Sequence, residues 1–89
     1  MATVWVPSLL REFTGGLEKI DVSGRTLRQI VRGLDEKFPG FAARVIQDEG
    51  FGDITVVVDG ATVTTGLMEP VEENSEINFL PNVSGGMEV

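Results

Sequence analysis

The sequence predicts a single α+β domain, in which a mixed sheet of about four to five strands carries one main helix on one face. Three observations lead to this prediction: a long amphipathic segment, short β-branched runs on both sides of it, and an Asp-Gly turn signal between two of those runs. With 89 residues, the chain has room for one small core and not for a second. A helix of about three turns covers only one face of a sheet, so the fold is expected to be a roll.

The first elements are two strands that form an N-terminal hairpin. Residues 3–6 are rich in strand-forming side chains. Residues 17–22 alternate, with Ile20 and Val22 on the apolar side, and the Gly-rich residues 14–16 come just before them. We therefore expect the two segments to pair.

The main helix has the strongest local signal. Apolar residues recur three and four positions apart across residues 27–38. These positions are Leu27, Ile30, Val31, Leu34 and Phe38. Thr26 lies three residues before Gln29, which is the spacing of a capping box, and the Pro-Gly pair at 39–40 ends the helix.

Residues after the helix supply the rest of the sheet. A short helical turn over residues 41–46 is expected to point Phe41 and Val45 inward. The acidic, Gly-spaced residues 47–53 are expected to form a loop, and residues 54–58 form the clearest strand of the chain.

The last part of the domain contains one tight turn and two further strands. The Asp-Gly pair at 59–60 predicts a type I′ hairpin turn, because both of its central positions need a positive φ. Residues 61–63 then return as a short strand, residues 66–71 form a connecting turn, and residues 77–80 form the final strand.

The composition excludes most kinds of enzyme site. Without cysteine or histidine the chain lacks disulfides, thiolate nucleophiles, zinc thiolate sites and the usual general base. A net charge of −7 argues against binding to nucleic acid or to anionic membranes. No apolar run approaches the roughly 18 residues of a membrane span, and the N-terminus lacks the basic start of a signal peptide, so a cytoplasmic location is expected.

Two acidic segments are expected to be solvated rather than metal-binding. The spacing of Glu69, Glu72, Glu73 and Glu76 fits no fixed ligand pattern, and residues 48–53 miss the EF-hand pattern. We therefore expect no metal and no bound cofactor.

The end of the chain resembles a known family. Residues 77–81 read Ile-Asn-Phe-Leu-Pro, and Gly85 and Gly86 follow shortly after them. Together with the single helix and the Asp-Gly turn, this pattern resembles the ubiquitin-like (β-grasp) sulfur carriers. That group includes the molybdopterin-synthase small subunit, the thiamine sulfur carrier and a carrier of one bacterial cysteine pathway. The stretches that look most like the cysteine-pathway carriers are residues 14–16, 24–27 and 38–40.

The resemblance implies a β-grasp domain over residues 1–80 and a flexible tail over residues 81–89. In this family a partner enzyme uses ATP to adenylate the C-terminal carboxylate, which then becomes a thiocarboxylate that donates sulfur. The acceptor pathway makes cysteine, a thio-metabolite or a cofactor. By this resemblance Gly86 carries the acyl group and then the sulfur, and Gly85 gives the tail clearance because glycine has no Cβ. The chain is then a protein cosubstrate with no catalytic residue of its own.

Residues next to the double glycine are expected to contact the partner. These are Ser84, Val83, Pro81 and Phe79. Since Phe79 and Leu80 are neighbours on one strand, their side chains point to opposite faces, so one is expected in the core and the other in an exposed apolar patch.

Residues 87–89 depart from the family pattern, because they follow the double glycine. The resemblance implies that a zinc metalloprotease of the JAMM class removes them by cleaving between Gly86 and Met87. The expected partners are thus an E1-like adenylating enzyme, that protease and a sulfur-accepting synthase. The extension could also be retained, which would leave an inactive paralogue.

Three other functions remain open. The chain could be a non-catalytic β-grasp interaction module, or a ubiquitin-type modifier whose Gly86 becomes amide-linked to a lysine. It could also be a small subunit whose tail sits in a partner's active site.

The remaining notable residues have ordinary structural interpretations. Arg25, Arg28 and Arg32 lie near one helix face and are expected to be solvated, with contact to partner carboxylates as the alternative. Arg32 is four residues from Glu36 and can pair with it. Trp5 is expected in the core or half-buried on its strand.

Overall fold

Seven strands and two α-helices make up the part of the chain that the structure, a computed structural model, describes: residues 1–48, 50–52 and 54–81. The strands are β1 (Ala2–Trp5), β2 (Lys19–Val22), β3 (Ile46–Gln47), β4 (Gly50–Phe51), β5 (Ile54–Val58), β6 (Ala61–Thr62) and β7 (Glu76–Pro81). The helices are α1 (Leu27–Lys37) and α2 (Phe41–Val45), and two 3₁₀ helices span Ser8–Thr14 and Gly66–Met68.

Five of the strands form one mixed sheet in the order β2–β1–β7–β5–β6. β1 and β7 run parallel, with Val4 opposite Ile77, and the other neighbours in this sheet are antiparallel. Parallel strands need a long crossover connection, and α1 lies within that crossover. The predicted α+β architecture with one main helix is confirmed.

α1 begins where the sequence predicts and packs closely on the sheet. The Thr26 hydroxyl oxygen accepts the Gln29 N–H at 3.3 Å, and the Gln29 side-chain oxygen accepts the Arg25 N–H at 2.7 Å. The two side chains therefore satisfy one backbone donor in the first turn and one just before the helix. Gly33 allows the helix to approach β2, because a Cβ at this position would lie 2.8 Å from Cγ1 of Val22.

The five-stranded sheet has a core face and an open face, because side chains alternate along each strand. The core face consists of Ala2, Val4, Ile20, Val22, Ile54, Val56, Val58, Ile77 and Phe79, all buried. The open face carries Thr3, Trp5, Thr55, Val57, Asn78 and Leu80, all at least partly accessible. The buried residues of α1 and α2 belong to the same core cluster as the core face, so the helices cover that face.

The predicted type I′ turn joins β5 and β6. Asp59 and Gly60 both have positive φ, at 51° and 85°. The Asp59 carboxylate accepts the Glu76 N–H at 2.9 Å and the Ser75 hydroxyl proton at 2.7 Å. Those two hydrogen bonds, that of Glu76 foremost, hold the pKa of Asp59 below its ordinary value. The turn is thereby fastened to the beginning of β7.

The prediction of a plain loop over residues 47–53 is wrong in part. The two-residue strands β3 and β4 form a small antiparallel hairpin, with Ile46 opposite Phe51, and Asp48 has a φ of 53° at its turn. Strands this short, one of them beginning with a glycine, contain no alternation by which a sequence pattern could reveal them.

Two further details differ from the sequence analysis. The connection inside the N-terminal hairpin contains the 3₁₀ helix Ser8–Thr14, which ends at Gly15 with a φ of 66°. Arg32 and Glu36 form no ion pair in the described part of the chain. Their order along the helix, with the cation first, is the less favourable one.

Candidate functional site

The last described strand, β7, lies between β1 and β5 in the sheet and ends at Pro81. Leu80 lies opposite Thr55 and Pro81 lies opposite Ile54. The predicted site residues that follow, Val83, Ser84, Gly85, Gly86 and Met87, lie outside the described residues. The structure therefore defines the place from which the C-terminal segment starts.

Three aromatic rings anchor this end of β7 in the core. Phe79 is fully buried, and its ring centroid lies 5.8 Å from that of Phe41 in an edge-on arrangement. The Phe51 ring, from β4, lies 6.0 Å from Phe79 on a tilted plane. Such geometries are favourable for aromatic pairs. The small hairpin that the sequence analysis missed thus supports the strand that carries the C-terminal segment.

The burial of Phe79 changes its expected role. The sequence analysis placed Phe79 among the residues that contact a partner, but its ring has no accessible surface. Leu80, on the other face of the same strand, is 45% exposed. Of this pair, Leu80 is the residue that offers apolar surface next to the C-terminal segment.

A shallow groove of about 190 Å³ lies on the open side beside Leu80. Its lining includes Trp5, Val6, Pro7, Arg11, Glu18 and Asn78. The apolar part comes from two separate stretches of the chain, namely residues 5–7 at and after the end of β1, and the end of β7. The groove therefore exists only in the folded sheet, and we call it the tail groove.

One cation is fixed at the rim of the tail groove. The Arg11 Nε–H donates to the Val6 carbonyl oxygen at 3.0 Å, and its guanidinium lies 3.3 Å from the Glu18 carboxylate. Next to it, the Lys19 ammonium lies 5.5 Å from the centre of the Trp5 ring, within the range of a cation–π contact. The groove thus combines an apolar floor with charged groups whose positions are already restrained.

An exposed apolar surface with charged side chains at its rim suits the binding of another protein. Among the described residues no group of three or more acidic side chains could hold a metal ion. Asp59, whose pKa is shifted, lies at the opposite end of β7, where it fastens a turn. In the residues that the structure covers, no helix is both long enough and apolar enough to cross a membrane.

A parallel pairing of the first and last strands, with one main helix packed on the same face of both, is the arrangement of the ubiquitin-like β-grasp fold. Comparison with known proteins confirms this class. The sequence profile of the ThiS family matches residues 4–86. The chain therefore belongs to the ThiS family of ubiquitin-like sulfur carriers.

Individual relatives agree with this assignment along almost the whole chain. The sulfur carrier protein CysO of Mycobacterium tuberculosis is 28% identical over 90 aligned residues, which cover 94% of this chain and 97% of that protein. The structure of the BexX/CysO complex of Amycolatopsis orientalis contains a chain that is 30% identical and superposes with a TM-score of 0.90. That match covers 97% of this chain and 100% of the other.

A second kind of relative shares the fold at similar identity. The small archaeal modifier protein 1 of Methanosarcina acetivorans superposes with a TM-score of 0.77 and is 27% identical. The match covers 96% of this chain and 95% of that protein. Carrier and modifier names thus both occur among structures similar to this one.

Proposed function

We propose that this protein is a sulfur carrier that works through the carboxyl group of Gly86 after the bond between Gly86 and Met87 has been cleaved. The observation that carries the proposal is the match to the ThiS family, which extends to residue 86 and so includes the double glycine. The CysO relative, whose name is that of a sulfur carrier, supports it.

The chemistry explains why a carrier needs activation. A C-terminal carboxylate has a pKa of about 3.5, so it is ionised at neutral pH and is a poor electrophile. An oxygen of the carboxylate attacks the α-phosphorus of ATP, and pyrophosphate leaves. A hydrosulfide ion then attacks the acyl carbon, the bond from the acyl carbon to the AMP oxygen breaks so that AMP leaves, and loss of the sulfur-bound proton gives the thiocarboxylate. The carrier supplies the acyl group, while the partner enzyme binds ATP and catalyses the steps.

The described residues have a binding role in this scheme. Burial of Phe79 fixes the end of β7, so the C-terminal segment starts from a defined place. Leu80 and the tail groove beside it provide an apolar surface on which an E1-like adenylating enzyme can hold the domain while the segment enters its active site. Gly85 leaves room for that entry because it carries no Cβ.

Two further partners follow from the same scheme. Because residues 87–89 follow the double glycine, a peptidase, for which we propose a JAMM-type zinc metalloprotease, has to expose Gly86 first. A synthase then accepts the sulfur. The chain itself acts as a protein cosubstrate in the cytoplasm.

A ubiquitin-type modifier is the second candidate, and the archaeal modifier relative favours it. Both functions share the adenylation step. They differ in the nucleophile that attacks the acyl carbon, which is sulfur for a carrier and a lysine amine for a modifier.

Intact-mass spectrometry of two forms of the chain tests the proposal. One form ends at Gly86, and the other retains residues 87–89. After incubation with the adenylating enzyme, ATP and a sulfide source, the form that ends at Gly86 is expected to exchange one oxygen for one sulfur, and the longer form is expected to stay unchanged. Adenylation of the longer form would contradict the cleavage step. Failure of the shorter form to gain sulfur, with amide-linked products instead, would favour the modifier.

A further inference from the structure

Three arginine side chains on and just before the outward face of α1 make no polar contact with the rest of the described chain. They are Arg25, two residues before the first residue of the helix, and Arg28 and Arg32 within the helix, and we call them the basic face. All three are exposed. None of their guanidinium groups forms an ion pair or a hydrogen bond with another described residue.

The other four basic residues are all engaged within the molecule. Arg11 pairs with Glu18, and the Lys19 ammonium lies over Trp5. The Lys37 ammonium donates to the Asp21 carbonyl oxygen at 3.2 Å. Arg44 also has an interaction within the fold.

Acidic residues near the basic face, including Glu36 four residues after Arg32, form no ion pair with it in the described part of the chain. The Asp35 carboxylate already accepts the N–H groups of Gly40 and Ala42, at 3.1 and 3.0 Å. Glu72 and Glu73 share an open cavity of about 550 Å³ with Arg25, but no ion pair crosses it. The chain has a net charge of −7, so a surface with three unpaired guanidinium groups is a positive region on an otherwise acidic protein.

We propose that the basic face is a second docking surface, which binds an acidic surface patch of another protein. Arg28 and Arg32 are four residues apart, so their Cβ atoms lie about 6 Å from each other on the same side of the helix. A guanidinium binds a carboxylate through two parallel hydrogen bonds, so the face matches a patch of a few neighbouring Asp or Glu residues. Nucleic acid fits less well, because three arginines neutralise few phosphates and the rest of the chain repels them.

The position of the basic face separates it from the tail groove. α1 packs on the core face of the sheet, whereas Trp5 and Leu80 lie on the open side. A protein bound to the basic face therefore leaves the tail groove accessible, and both surfaces can be occupied at the same time. The inference does not depend on the chemistry of the C-terminal segment.

An NMR titration of the full chain with a synthetic oligoglutamate peptide tests this proposal. The expected result is a set of amide shift changes confined to residues 25–32 and the side chains of the basic face, which weaken as salt is added. The double variant Arg28→Gln/Arg32→Gln should weaken binding by roughly two- to thirtyfold, given the usual strength of exposed ion pairs.

A matched control separates docking from a general charge effect. The variant Thr62→Glu/Thr64→Glu makes the net charge more negative by the same two units at exposed residues in and just after the edge strand β6. It should weaken binding much less than the α1 variant, and both variants should melt like the parent. Equal weakening by the two variants, or shifts centred on Trp5 and Leu80, would overturn the proposal. Tighter binding of tripolyphosphate than of the peptide at the same residues would overturn the assignment to an acidic protein.

Discussion

The two faces of β7 differ in burial: one packs in the core and the other is accessible to solvent. Phe79 and Leu80 are consecutive, yet one ring is fully buried between Phe41 and Phe51, and the other side chain is 45% exposed beside the tail groove. Successive side chains of a strand point to opposite faces, so in β7 one face contributes to the stability of the core and the other offers accessible surface. The comparison teaches that a single strand can anchor the start of the C-terminal segment in the core and also expose apolar surface next to it.

Substitution of the two neighbours provides the largest expected difference. Phe79→Ala removes a buried ring from an aromatic cluster and should lower the free energy of unfolding by about 3–5 kcal/mol. That loss approaches the whole stability of a small domain. Leu80→Ala should change the free energy of unfolding by no more than about 0.5 kcal/mol, since the side chain is partly exposed. Urea denaturation of both variants measures the difference.

Leu80→Ala also tests the open face. If the tail groove binds the adenylating enzyme, this variant should raise the KM for the carrier while its denaturation curve stays that of the parent. Where Phe79→Ala is too unstable to measure, Phe79→Leu should show a smaller loss in the same direction. Similar stability losses for Phe79→Ala and Leu80→Ala would contradict the separation of the two faces.

The next largest effect is expected in the C-terminal segment, where function and stability should separate completely. In the form that ends at Gly86, Gly86→Ala adds a Cβ next to the reacting carbonyl group. A small misplacement at a reacting centre costs on the order of 10²-fold in rate. Intact-mass kinetics should therefore show much slower thiocarboxylate formation, with an unchanged melting curve. A binding module that does not use Gly86 predicts no change in either measurement.

A smaller effect is expected where α1 crosses the core face. Gly33→Ala places a Cβ 2.8 Å from Cγ1 of Val22, which is closer than atoms of this kind pack. The clash costs about 1–3 kcal/mol, and the better helix propensity of alanine returns about 1 kcal/mol of it. We therefore expect a net loss of stability of up to about 2 kcal/mol.

The background variant Val22→Ala reverses the sign of that effect. Without the valine methyl groups the clash is absent, so Gly33→Ala should then stabilise the domain by about 1 kcal/mol through propensity alone. The four proteins form a double-mutant cycle that denaturation can measure. A destabilising Gly33→Ala in both backgrounds would show that Val22 does not set the helix–sheet distance.

The elements that the sequence predicted correctly have local causes. The α1 stripe, the contact between Thr26 and Gln29, and the positive φ values of the Asp59-Gly60 turn each involve residues a few positions apart. Pattern and chemistry are therefore enough to identify them.

What the sequence could not predict depends on long-range register. Alternation showed that Phe79 and Leu80 face opposite ways, but which one is buried follows from the pairing of β7 with β1 and β5. The tail groove combines Trp5, Arg11 and Leu80 from distant parts of the chain, so no short motif could have indicated it. The apolar neighbours Phe79 and Leu80, a few residues before Gly85 and Gly86, were the one usable signal.

The smallest predicted effect lies at the far end of β7 and depends on pH. Glu76 N–H and the Ser75 hydroxyl stabilise the ionised form of Asp59, which lowers its pKa from the ordinary value of 3.8 in the folded protein. Near that pH the unfolded chain binds more protons at this site than the folded one, so stability rises with pH. The contribution of Asp59 is complete above its unfolded pKa and is lost as the pH falls through the lower, folded pKa. The variant Asp59→Asn keeps a residue that tolerates positive φ but loses the charge. Denaturation from pH 7 down to pH 3 should show the parent more stable than this variant at neutral pH, with the gap closing in acid. A gap that stays constant over this range would mean that turn geometry, and not the ionised carboxylate, fastens the beginning of β7.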